Sequence, residues 1–177
     1  MRLLNRMMAS LMVLGAALAI ALPVAALEVG DAAPDFELQA SDGNTYRLSD
    51  FRGKQAVVVA WFPKAFTSGC TIECKSLAEN GELVRAYDVS YFMASVDPLA
   101  DNIGFAAVTG ADFPLLSDPT RETARAFGVL NAMGVASRHT FYIDVDGRVA
   151  AIDRAVKPAT SAEDMAAKLG ELGVARR

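Results

Sequence analysis

Ala56-Val57-Val58-Val59-Ala60-Trp61-Phe62 constrains this chain more than any other segment. It is apolar at every position, β-branched at its centre and closed by Pro63. A half-exposed strand would alternate apolar with polar residues, so this run predicts a strand buried on both faces, in the middle of a sheet. The next stretch of chain is different in character. Lys64 to Gly69 is a short loop bearing Ser and Gly, and Thr71 to about Tyr87 places Cys74, Leu77, Val84 and Tyr87 on one helical face, with Asn80-Gly81 able to kink or split the helix.

The rest of the chain continues the alternation. Tyr91 to Val96 reads as a second strand ended by Asp97-Pro98, Ala100 to Val108 as a helix, and Phe113 to Leu116 as a short strand. Ser117-Asp118-Pro119 leads into a helix from Thr120 to Phe127. Thr140 to Val145 and Arg148 to Ile152 are strands joined across Asp146-Gly147, a strong hairpin signal, with Asp144 and Asp146 as turn residues. Ser161 to Leu172 is a closing amphipathic helix capped by Ser161. Met93, Met133 and Met165 read as core filler, and Arg176-Arg177 as a solvated tail. The fold class is therefore α/β, a mixed central β-sheet flanked by helices, the pattern of a thioredoxin-like fold.

The first 26 residues have another character. Arg2 and Arg6 precede an apolar run from Met7 to Leu22, then Pro23 and the small residues Val24-Ala25-Ala26. That order is the order of a cleaved secretory signal peptide. The run is shorter than the roughly 20 residues that span a bilayer, so an uncleaved membrane anchor is the lesser alternative. Residues 1–26 are thus expected to be a leader and residues 27–177 a single domain, addressed to the periplasm. An oxidising compartment lets paired thiols persist as a disulfide. The thiol inventory is Cys70 and Cys74 alone. Beyond the leader there are 15 basic and 21 acidic side chains and no basic block, which excludes nucleic acid as the main partner. A single His leaves little room for a His-rich metal site.

The chemistry concentrates where the buried strand ends. Cys70 falls in the first turn of the next helix, where unpaired backbone N–H groups and the helix dipole favour thiolate over thiol. Gly69 lets the backbone approach a small ligand, Thr67 supplies a hydroxyl, and Pro63 stiffens the loop's start.

Pro63, Thr67 and Cys70 match the Pro-x-x-x-Thr-x-x-Cys motif, and the chain here resembles the peroxiredoxins (the AhpC/TSA family), which are thiol peroxidases. Gly30-Asp31-Ala32-Ala33-Pro34-Asp35-Phe36, Leu48 to Lys54, Phe113 to Asp118, and Arg138 before Asp144 look like further family segments in the same order. The Pro-Lys-x-Phe-Thr-x-Gly-Cys-Thr pattern is similar to the bacterioferritin-comigratory, or Q-type, branch. The resemblance implies that Cys70 attacks a hydroperoxide and becomes a sulfenic acid. It also implies that Arg138 holds the thiolate and hydrogen-bonds the peroxide, that Thr67 and the N–H groups near Gly69 and Cys70 orient the O–O bond, and that Pro63 shields the sulfur. Glu73 would position an Arg through a charge-assisted bond. The implied reductant is a thioredoxin-like thiol protein, the implied substrate hydrogen peroxide or an organic hydroperoxide, and no metal, flavin or nucleotide cofactor is called for. A homodimer is one of the assemblies the family uses.

Cys74 departs from the Q-type pattern, which places its resolving Cys five residues after the first rather than four. Residues i and i+4 share a helical face with Cβ atoms about 5–6 Å apart, whereas a disulfide needs about 3.5–4.5 Å. Cys74 is expected to resolve the sulfenic acid once that turn distorts, the alternative being a core Cys with an external thiol as reductant. Two rivals use the same residues. Cys70, Cys74 and His139 resemble the copper site of Sco-type proteins, although His139 sits beside Arg138 and reads as a strand-entry residue. A thioredoxin-type dithiol oxidoreductase would carry Cys-x-x-Cys, one residue shorter than the spacing here.

Overall fold

The computed structural model describes residues 27–177, so the leader assigned to residues 1–26 lies outside the described residues. Its strands are β1 (Glu37–Ala40), β2 (Thr45–Arg47), β3 (Ala56–Trp61), β4 (Val89–Ser95), β5 (Leu115–Ser117), β6 (His139–Ile143) and β7 (Val149–Asp153). They form one mixed sheet in the order β2-β1-β5-β4-β3-β6-β7. The all-apolar segment is β3, paired in parallel with β4 through Val58 and Tyr91 and antiparallel with β6 through Val59 and Phe141.

Successive β3 side chains enter opposite core layers, as the pleat requires. Val57, Val59 and Trp61 join a layer with Phe36, Phe127 and Phe141, in which the Phe127 ring meets Phe141 edge-on at 5.1 Å. Val58 and Ala60 join a layer built from α1 (Ser68–Glu79), α2 (Gly81–Arg85), α3 (Leu99–Thr109) and α5 (Ser161–Glu171). Those helices contribute Cys70, Cys74 and Leu77, then Val84, then Phe105, then Met165 and Leu169. The remaining helix, α4 (Glu122–Ala126), comes after β5. The apolar run thus buries on both faces because each face has its own cover.

Several local expectations need amendment. The helix expected from Thr71 to Tyr87 starts earlier, at Ser68, and divides at Asn80 into α1 and α2. The break falls at Asn80, whose φ of −119° and ψ of 20° leave the helical region. Gly81 after it has no room for a side chain, since a Cβ there would lie 2.7 Å from the Tyr91 hydroxyl oxygen. The β1–β2 hairpin went unanticipated because its strands are only four and three residues long. Its signal was Ser41-Asp42-Gly43-Asn44, where the Asp42 carboxylate accepts the Asn44 N–H and the Tyr46 hydroxyl. Ser161 is not the cap of α5 but its first helical residue, preceded by a 3-10 turn at Pro158–Thr160. Met133 is not core filler, being 82% exposed at a turn. The Arg176-Arg177 end is docked rather than free. The Arg177 N–H donates to Ala86 O, and the Arg176 guanidinium lies over the Tyr87 ring.

Candidate active site

The site grows from the end of β3. Phe62 continues the strand by donating its N–H to Ala94 O, and the chain then turns through Pro63–Thr67 into α1. That loop is held from beneath by Asp97, a buried carboxylate just beyond β4. Asp97 accepts the Ala65 N–H at 2.8 Å and meets the Lys64 ammonium at 3.4 Å. Phe66 reverses the chain with φ at +64°, a conformation that costs a non-glycine residue about 1 kcal/mol. Its ring rests edge-on against Phe105 at 5.4 Å while staying 56% exposed. Thr67 then occupies the N-cap position, with its hydroxyl donating to Lys64 O at 2.8 Å.

Cys70 is the third residue of α1 and is fully buried. The first i to i−4 bond at this end runs from Thr71 N–H to Thr67 O, so the N–H groups of Ser68, Gly69 and Cys70 sit in the unpaired first turn. Arg138 comes from the residue before β6, on the strand beside β3. Its Nη2 donates to Cys70 Sγ at 3.2 Å, and its Nη1 forms an ion pair with Glu73 Oε2. Glu73 lies one turn along α1 from Cys70, the spacing that puts both on the same face. Its side chain is fully buried, and Glu73 Oε1 has no hydrogen-bond partner among the described residues. Gly69 leaves room for the guanidinium, because a Cβ there would come 3.2 Å from Arg138 Nη2.

Cys74 is the residue after Glu73, about one turn along from Cys70, and is buried and reduced, as Cys70 is. Burial pushes the Cys74 thiol up to about 11. Its Sγ lies 3.2 Å from Thr109 Oγ1 at the end of α3. His139 is elsewhere in the layering. It is the first residue of β6, opposite Trp61, and two residues before Phe141, which packs in the layer away from the cysteines. Burial and the nearby Arg154 lower its pKa. The described residues contain no group of three His, Cys, Asp or Glu able to hold a metal.

The structure therefore brings Pro63, Thr67, Gly69, Cys70, Glu73, Cys74 and Arg138 to one end of the sheet, with His139 at the same end but on the face away from the cysteines. Sequence reasoning missed Asp97 and Thr109. Asp97 carried a signal in ending a strand as Asp-Pro, whereas nothing in the spacing of Thr109 marked it as a neighbour of Cys74.

Residues 29–152 match the AhpC/TSA family. The chain belongs to that family. Among its curated relatives, the peroxiredoxin Bcp of Escherichia coli K12 is 34% identical over 130 residues, covering 70% of this chain and 83% of that protein. The crystal structure of peroxidoxin BcpB from Mycobacterium tuberculosis superposes with a TM-score of 0.74 at 31% identity, over 82% of this chain and 97% of that one. The bacterioferritin comigratory protein of Xanthomonas campestris gives a TM-score of 0.72 at 28% identity, over 82% and 96%. The fold is that of the thioredoxin-like peroxiredoxins, and the chain is a peroxiredoxin-type thiol peroxidase of the bacterioferritin-comigratory branch. Peroxiredoxins reduce hydroperoxides at the expense of thioredoxin-type reductants. The copper-carrier alternative finds no support in these relatives or in the position of His139.

Proposed function

We propose that this peroxidase is exported, and that it works through Cys70 as the attacking thiolate and Cys74 as the resolving thiol. The observation that carries the reading is the forked guanidinium of Arg138, with one arm on Cys70 Sγ at 3.2 Å and the other on buried Glu73. A fixed cation beside the sulfur supplies a donor where negative charge develops on the departing oxygen. The thiolate attacks the terminal oxygen of the hydroperoxide. The S–O bond forms as the O–O bond breaks, and the alkoxide or hydroxide that leaves takes a proton from solvent. Cys70 is left as a sulfenic acid. Thr67, with its proton committed to Lys64 O, offers its oxygen to the O–H of the peroxide. Cys74 then attacks the sulfenic sulfur. The S–S bond forms, the S–O bond breaks, and the Cys74 proton leaves with the hydroxide as water. A dithiol donor reduces the disulfide.

Organic hydroperoxides belong within the substrate range. Phe66, in the loop that leads into α1, is a large apolar side chain left 56% exposed beside this site. Gly104 of α3 comes close beneath the Phe66 ring, since a Cβ there would lie 3.4 Å from the ring's tip. The Xanthomonas campestris neighbour is described for its alkyl peroxide reduction activity, which agrees with an apolar approach. Export rests on the basic start, apolar run and small-residue exit of residues 1–26, and makes a thioredoxin-like protein of the periplasm the natural donor.

The test is rapid-mixing oxidation of the reduced protein by hydrogen peroxide, wild type against Cys70→Ser, with mass spectrometry of the product. Fast oxidation confined to the wild type, ending in a Cys70–Cys74 disulfide, supports the reading. Oxidation no faster than that of a free thiol, or unchanged in Cys70→Ser, overturns it.

A further inference from the structure

Cys74 is held by something other than its reaction partner. On intact α1 the Cβ atoms of residues four apart stand about 5–6 Å from each other, beyond the roughly 3.5–4.5 Å of a disulfide. The Cys74 thiol is meanwhile engaged with Thr109 Oγ1 at 3.2 Å, across to the last residue of α3. Counting protons gives the direction of that bond. The Thr109 hydroxyl has one, and it points to Phe105 O, one helical turn back, at 2.7 Å. Its lone pairs are left for Cys74, so the thiol donates and Thr109 accepts. That arrangement suits a neutral thiol and offers nothing to a thiolate unless the hydroxyl first abandons Phe105 O. Among the described residues Thr109 is the one hydrogen-bond partner of Cys74 Sγ, in a layer that includes Leu77, Phe105 and Leu115.

We infer that Thr109 is a positioning residue that tethers the resolving thiol to α3 and thereby holds back disulfide formation. The inference rests on the reading of Cys74 as the resolving thiol. While the tether holds, Cys74 stays fixed to α3, leaving peroxide to Cys70. After Cys70 is oxidised, the first turns of α1 must loosen and the S–H···O bond must break before Cys74 can reach the sulfenic sulfur. The tether therefore lengthens the life of the sulfenic acid without touching the first step. Cys74 lies one residue closer to Cys70 than the Q-type spacing places its resolving cysteine, on the buried face where such a contact can form.

The experiment reads both steps separately in the reduced full chain. Hydrogen peroxide is mixed rapidly with wild type, Thr109→Val and Thr109→Ser, samples are quenched with acid, and intact-mass analysis counts reduced, sulfenic and disulfide forms. Thr109→Val keeps the shape but removes the acceptor. Disulfide formation in this variant is expected about fivefold faster, the worth of one buried neutral hydrogen bond, with Cys70 oxidation within twofold of wild type. Thr109→Ser restores the hydroxyl and is expected to restore the wild-type rate, which a packing role would not predict. Thr109→Ala, which removes the acceptor without adding a methyl, must repeat the acceleration. An unchanged or slower disulfide step in Thr109→Val, or a Thr109→Ser that behaves like Thr109→Val, overturns the tether. Wild type that forms no Cys70–Cys74 disulfide overturns instead the resolving role of Cys74, a separate failure seen without any Thr109 variant.

Discussion

Arg138→Met separates what the Arg138–Glu73 pair does for stability from what it does for catalysis. The Glu73 side chain is fully buried, its Oε2 is held by Arg138, and its Oε1 has no partner among the described residues. Methionine at 138 fills a similar volume but leaves a buried carboxylate with nothing opposite it. Breaking one side of a buried pair costs about 3–5 kcal/mol, and the 20% exposure of the Arg138 side chain places this site toward the lower end. Glu73→Gln strands Arg138 instead, and that guanidinium reaches solvent, so the expected loss is only about 1–2 kcal/mol. The double variant Glu73→Gln with Arg138→Met removes both charges and should recover most of the stability lost by Arg138→Met. Activity takes a different order. Both variants lacking the guanidinium lose the donor on Cys70 Sγ and should fall about 10²–10³-fold in peroxide reactivity, whereas Glu73→Gln keeps the donor but loosens it. Urea unfolding at constant m-value reads the first series and rapid-mixing oxidation the second. A double variant no more stable than Arg138→Met, or an Arg138→Met enzyme within a few-fold of wild-type reactivity, would refute the reasoning.

Further substitutions probe the other supports of the site. Gly69→Ala puts a Cβ 3.2 Å from Arg138 Nη2, so the guanidinium must shift by a few tenths of an ångström and peroxide reactivity should fall about tenfold with little change in unfolding midpoint. Asp97→Ala leaves the Ala65 N–H without its acceptor beneath the loop, with an expected loss of about 2 kcal/mol in urea unfolding. Phe66→Ala removes an exposed ring beside the site and should slow a bulky organic hydroperoxide more than hydrogen peroxide, read as the ratio of the two rates. The pH dependence of stability tests Cys74. Its thiol is held up at about 11 in the folded chain against an ordinary 9.0, so the unfolded chain loses that proton first as pH rises. The reduced protein should therefore lose about 2–3 kcal/mol between pH 9 and 11 that Cys74→Ser does not lose, the comparison cancelling the raised Tyr91 and Tyr142, which titrate in both.

The parts of this protein visible in its sequence are those governed by short-range rules. The apolar run of β3, the Asp146-Gly147 hairpin and the placing of Cys70 in a first helical turn each depend on residues within a few positions of one another. The family pattern added Arg138, which no local rule could have tied to Cys70 across 68 residues. What stayed hidden was long-range or short of periodic signal. β1 and β2 are too brief to show alternation, and Ser161 has the side chain of a cap but lies one residue inside the helix because Pro158 starts a turn before it. Met133 is apolar yet exposed, since the turn around it sets its position rather than its hydrophobicity.

Cys74 shows the same division inside one residue. Its spacing from Cys70 predicts a shared helical face and a disulfide that needs distortion, and both cysteines do lie in the layer beneath α1. Its partner could not be read from spacing, because Thr109 arrives from another helix 35 residues on. On the proposed two-cysteine mechanism, the second step is governed by packing between α1 and α3, and the first by the helix N-terminus and Arg138. Two steps with separate structural supports can be altered one at a time. Substitutions at Gly69, Glu73 and Arg138 should move the rate of peroxide attack, and those at Thr109 the rate of disulfide formation. A variant of Arg138 that changed only the second rate would show that this separation does not hold.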